Sequence, residues 1–119
     1  MTQNGLRPKT RAAAQDQTMP AFFDFQWDPA KARANVRKHR VSFELATTVF
    51  RDPQALTVFD EDHDEDEERW STLGLSETGK FLVVIHTFQA LGTEGSARIR
   101  VISARRATSK ESRMYEANL

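Results

Sequence analysis

The chain has no cysteine. That excludes disulfides, thiolate metal sites and a cysteine nucleophile, and it makes a reducing compartment the natural setting. No apolar run approaches the roughly 20 residues that a bilayer-spanning helix needs. The first residues also lack the continuous apolar stretch of a signal peptide. The cytoplasm is therefore the expected location, with no role at a membrane. Net charge is absent too, at zero overall, but this balance hides an asymmetry. Eight acidic residues lie between Asp60 and Glu68 with no basic one among them, so the rest of the chain is +8, 17 basic residues against nine acidic. An excess of that size on a small domain suits a polyanion partner. The acidic stretch itself reads as a handle for a basic partner or as a solvated loop.

At 119 residues, 39% of them hydrophobic, the chain can build one modest core and not a second. Residues 1–20 carry almost no large apolar side chains. Such a segment cannot offset the entropy of ordering it, so a disordered tail is expected before a domain over 21–119, with Met19 an alternative start. No internal repeat is present.

The domain opens on the aromatic run from Phe22 to Trp27, which predicts a short strand. Asp28 then supplies an N-cap acceptor and Pro29 the first helical position, so a helix is predicted to about His39, with Lys31, Asn35 and Lys38 on one face. Ser42 reads as the cap of a second helix that buries Phe43, Ala46, Val49 and Phe50 and stops at Asp52-Pro53. Beyond that point the pattern turns strand-like, over Ala55 to Phe59, Trp70 to Leu75, Phe81 to Phe88 and Arg98 to Ala104. Glu77 to Lys80 predicts a hairpin turn, and 89–97 a flexible glycine-bearing loop. Thr108 and Glu111 form a capping box for a closing helix. The predicted fold is α+β: an antiparallel sheet of about four strands with two N-terminal helices and one C-terminal helix packed on one face of it.

Three segments carry a resemblance to a known family. Phe25 to Lys31, Asn35, Lys38 to Phe43 and Ala46 resemble the opening signature of the BrnT toxins. Asp60 to Arg69, with Glu67-Glu68-Arg69 before an aromatic strand start, resembles the middle of that family. Arg98 to Thr108, followed by Glu111 and Tyr115, resembles its close. The departures are the N-terminal tail, Arg40 where glycine is usual, and the 89–97 loop. The resemblance implies a RelE-like fold, RNA cleavage that stops translation, and a type II toxin–antitoxin pair. It further implies a BrnA-type, ribbon-helix-helix antitoxin, with operator DNA bound only through the joint complex.

RNA can be cut by its own 2′-hydroxyl. The chemistry needs a proton acceptor, cations for the phosphorane charge and a donor for the leaving oxygen, and it needs no metal or other cofactor. Under the resemblance, the candidate catalytic residues are Arg69, Arg105, Arg106, Lys31, Lys38, His39, Glu68 and Tyr115. The arginines suit bidentate phosphate binding. His39 and Glu68 are candidate bases, Glu68 being crowded by Glu67, and Tyr115 is a candidate proton donor. Arg98, Arg100 and Trp70 are candidates for binding the RNA chain, the arginines by charge and the tryptophan by stacking. Each has a plainer alternative: an ion pair for the arginines, a polar helix face for the lysines, a helix-end dipole partner for His39, and core packing for Tyr115. His86 within its apolar strand reads as a satisfied sheet residue, and His63 as part of the acidic loop. A divalent-cation site in the acidic stretch is disfavoured, because it lacks the glycine and closing glutamate of an EF-hand loop. A non-enzymatic module that only binds its antitoxin is the alternative to a ribonuclease. The ribonuclease reading requires the cationic candidates to share one concavity.

Overall fold

The computed structural model describes residues 22–61, 67–92 and 95–119. The predicted tail and His63 lie outside the described residues. Phe22–Gln26 form β1. Helix α1, Pro29–His39, starts where the sequence predicts, with the Asp28 carboxylate accepting from the Ala30 amide. It ends at Arg40, which takes a left-handed conformation at φ 60°. Only glycine adopts that conformation without steric cost, so Arg40 holds it under strain. Ser42 caps α2, Phe43–Thr47, and a 3-10 turn over Thr48–Arg51 extends it. Strands β2 (Leu56–Phe59), β3 (Trp70–Leu75), β4 (Phe81–His86), β5 (Gln89–Ala90) and β6 (Ser96–Arg106) follow. The Thr108/Glu111 capping box then starts α3, Ser109–Ala117.

The sheet differs from expectation in three respects. It has six strands rather than four, in the order β1-β6-β4-β3-β2, with β5 also paired to β6. It is mixed, because β1 runs parallel to β6. Two helices and four strands separate those partners, so nothing in local periodicity reveals their direction. Residues 89–97 are not wholly a loop: Gln89 and Ala90 pair with Arg98 and Ala97, and β6 begins at Ser96.

The helices also pack differently from expectation. Leu82 and Val84 of β4 cluster with Val41, Phe43, Ala46 and Val49, so α1 and α2 cover one face of the sheet. Alternation turns Val83 the other way, where it clusters with Leu73 and with Tyr115 of α3. The sheet is therefore sandwiched, and the apolar run Phe81–Ile85 of β4 is what burial on both faces requires. Gly74 permits the tight approach of α2's extension to β3, because a Cβ there would lie 3.2 Å from that of Val49.

Candidate nucleic-acid interface

In the β1/β6 register Asp24 and Gln26 lie opposite Arg98 and Arg100. All four share the face away from α1 and α2, since Phe23 and Phe25 turn inward onto Phe50. At this end of the sheet Glu67 and Glu68 lead into β3, while Thr87 and Phe88 follow β4. Together they bound a cleft of about 360 Å³ lined by Gln26, Glu67, Glu68, Thr87, Phe88, Gln89, Arg98 and Arg100.

Its electrostatics centre on one carboxylate. Arg100 donates to Glu67 and holds its carboxyl below the usual range, with Arg69 and Lys31 lowering it further. Three cations from α1, the start of β3 and the middle of β6 therefore act on one anionic group. Among the described residues Arg98 pairs only with Asp24, at 2.9 Å through Nε, which leaves both terminal nitrogens facing no acceptor among them. Arg69 carries a buried Nε with no hydrogen-bond partner, an unmet donor beside this cluster. Its carbonyl accepts from the Asp60 amide at 2.8 Å, which fixes the backbone where β3 begins.

The structure brings Glu68, Arg98 and Arg100 together in the cleft, with Arg69 and Lys31 near enough to act on Glu67 by charge, and it places the other candidates elsewhere. Arg105 and Arg106 end β6, five or more residues beyond Arg100, roughly 16 Å along the strand. Arg105 is held there by a bidentate pair to Glu111 of α3, both contacts 2.9 Å. That pairing, with the Thr108 amide, pulls the Glu111 carboxyl down to about 2. Tyr115 is buried, donates to Asp52 at 2.8 Å and packs on Phe81 at 5.0 Å. Burial and then Asp52 push its hydroxyl up to about 12. Lys38 and His39 lie in the last turn of α1, where their charge suits the helix dipole. Trp70 turns to the face covered by α1 and α2 and packs edge-on to Phe59 at 5.2 Å, outside the cleft. A single concavity for the whole set is therefore not what the fold provides. The physical reason is the length of β6, which puts Arg98 and Arg106 near opposite ends of one strand.

His86 is only 1% exposed and forms a closed network rather than a site. The Thr87 carbonyl at 2.8 Å can only accept, so Nδ1 bears the proton and Nε2 accepts from Thr72, 2.7 Å away. Burial lowers this imidazole to about 4. Sequence reasoning missed Glu67 as the central carboxylate, Phe88, and the pair Gln26 and Gln89. Glu67 was masked by its acidic neighbours, and Phe88 reads as the last residue of an apolar strand. Among the described residues no group of three His, Asp or Glu side chains converges as a metal site would require, and no helix is long and apolar enough to cross a membrane.

Residues 27–111 match the family described as ribonuclease toxin, BrnT, of type II toxin–antitoxin system. Among solved structures, the chain is similar to the 1.1 Å crystal structure of the Brucella abortus ribonuclease toxin BrnT. The identity is 23% and the TM-score 0.50, over 75% of this chain and 100% of that one, a likeness of fold. No curated protein matches the chain. The family match spans most of the sequence, both helices of the opening signature and the whole sheet after β1, so this chain belongs to the BrnT family of ribonuclease toxins of type II toxin–antitoxin systems.

Proposed function

We propose that this toxin is a metal-independent endoribonuclease whose site is the cationic cleft at the junction of β1, β3 and β6. One observation carries the reading: Arg100 binds the Glu67 carboxylate in the cleft, and Arg69 and Lys31 act on it by charge, so an anion stands where a phosphate would be stabilised. Arg100 and Arg69 would clamp the scissile phosphate, with Arg98 guiding the adjoining backbone. Glu68, at the cleft wall, takes the proton from the 2′-hydroxyl. The 2′-oxygen then bonds to phosphorus as the bond to the 5′-oxygen breaks, and the Lys31 ammonium supplies the proton to that leaving oxygen. A 2′,3′-cyclic phosphate and a 5′-hydroxyl result.

The fold is read as RelE-like and the compartment as the cytoplasm, where RNA and antitoxin coexist. The partner is a BrnA-type, ribbon-helix-helix antitoxin, and operator DNA is contacted only through their complex. The test is cleavage of a long RNA by the partner-free toxin in excess chelator. Full activity is expected there, with Arg100→Ala and Arg69→Ala each losing about 10²–10³-fold at unchanged melting temperature. Activity lost to the chelator removes the metal-free route. RNA left intact by the unmodified toxin, with partner binding retained, makes it a binding module.

A further inference from the structure

Phe88 is an aromatic side chain left half exposed, at 50%, on the wall of a cleft otherwise lined by charged, amide and hydroxyl side chains. Single exposed apolar residues need no explanation on a protein surface. This one differs in how firmly it is held and in what surrounds it. On one side of it Thr87 donates its amide to the Arg100 carbonyl at 3.0 Å, and its hydroxyl accepts from the Arg100 amide at 3.1 Å. On the other side Gln89 is paired in register with Arg98. The backbone at Phe88 is thus clamped to β6 from both directions, beside the two arginines. Among the described residues every aromatic pair lies elsewhere: Phe23, Phe25, Phe50 and His86, Trp27 and Phe43, Phe59 and Trp70, Phe81 and Tyr115. The Phe88 ring has no such partner among them. Gln26 and Gln89 line the same cleft with carboxamides that both donate and accept, and among the described residues Gln26 Nε2 makes only a long 3.5 Å contact to Asp24.

We propose that Phe88 is a stacking platform for an unpaired nucleobase, and that the cleft therefore selects single-stranded RNA. The inference rests on the cationic-cleft reading. A cation binds phosphate in any strand, whereas a flat ring can only receive a base whose faces are open, which duplex RNA does not offer. Arg98 and Arg100 hold the backbone on one side of the base, and Gln26 and Gln89 meet its polar edge. A preformed platform also saves the ordering cost that a mobile side chain would incur on binding.

The experiment measures binding of the full chain to an unstructured oligoribonucleotide 2′-O-methylated throughout, so that it cannot be cleaved, and to its duplex. Phe88→Leu keeps the apolar bulk and removes the aromatic face. It is expected to weaken single-strand binding about tenfold or more, with duplex and antitoxin affinity unchanged and Phe88→Tyr retaining near-normal affinity. Arg100→Ala should weaken both strands. Single-strand affinity unaltered in Phe88→Leu, or a loss confined to the antitoxin, overturns the stacking role. If Arg100→Ala weakens binding in that same experiment, the cleft survives and only the base site falls. If Arg100→Ala changes neither strand, the cleft reading itself fails.

Discussion

Asn35 holds both backbone polar groups of Ala104. Its Nδ2 donates to the carbonyl at 2.8 Å, and its Oδ1 accepts the amide at 3.1 Å. The same Nδ2 reaches the Val41 carbonyl at 2.9 Å. β1 ends at Gln26, opposite Arg100, so it pairs with β6 no further along. Asn35 supplies at Ala104 the two hydrogen bonds that a further strand residue would have made. A helix side chain thus completes a sheet edge, and in doing so fixes α1 and its Lys31 relative to the cleft.

Asn35→Ala strands three buried backbone groups at once. The expected loss is about 3 kcal/mol of unfolding free energy, read from urea or thermal melts. A loss under about 1 kcal/mol would show that water replaces the side chain readily.

Arg40 sits at φ 60°, where a non-glycine residue is strained. Arg40→Gly should raise stability by about 1 kcal/mol, less the extra entropy of the unfolded glycine chain. The melting temperature should rise by a few degrees with cleavage unchanged. A fall would mean that the Arg40 side chain contributes more than its backbone costs.

Stability should depend on pH through His86. Its folded value, about 4, is depressed from an unfolded value near 6.5. Between those values the unfolded chain binds the extra proton, so the contribution is complete above pH 6.5 and is lost as pH falls towards 4. Moving from pH 7 to 5 should cost about 2 kcal/mol. His86→Leu should flatten that step, whatever its own cost. An equal slope in the variant would assign the dependence to other groups.

The Arg105–Glu111 pair should titrate lower. Glu111 falls from 4.5 to about 2, so its contribution is present above pH 4.5 and fades as pH drops towards 2. Arg105 is 41% exposed, and water screens the pair to about 1 kcal/mol. Arg105→Gln should lose that amount at pH 7, about half of it at pH 3 and little below pH 2. Cleavage by the folded variant should persist, because the pair lies far along β6 from the cleft; loss of cleavage at intact stability would extend the site to that end.

Local chemistry settled a good deal before any tertiary information. Asp28-Pro29, Ser42 and the Thr108/Glu111 box start three helices, and the structure shows each at the predicted residue, because capping is a matter of two to four neighbouring residues. Trp70–Leu75 is a strand within the bounds its pattern predicts, and the β4 run is buried on both faces as its composition demands. The three family segments were likewise legible, since they are contiguous in sequence. The direction of β1, the opposite faces taken by α2 and α3, and the two-residue β5 were not, because each rests on contacts between residues dozens of positions apart or on too few residues for a period. The candidate site shows the same division. Residue types nominated Arg69 and Arg105 for the scissile phosphate and Arg100 only for guiding the RNA chain. Only the register of an eleven-residue strand put Arg100 beside Glu67, and left Arg105 bound to Glu111. Charge is written in the sequence; the distance between charges is a property of the fold.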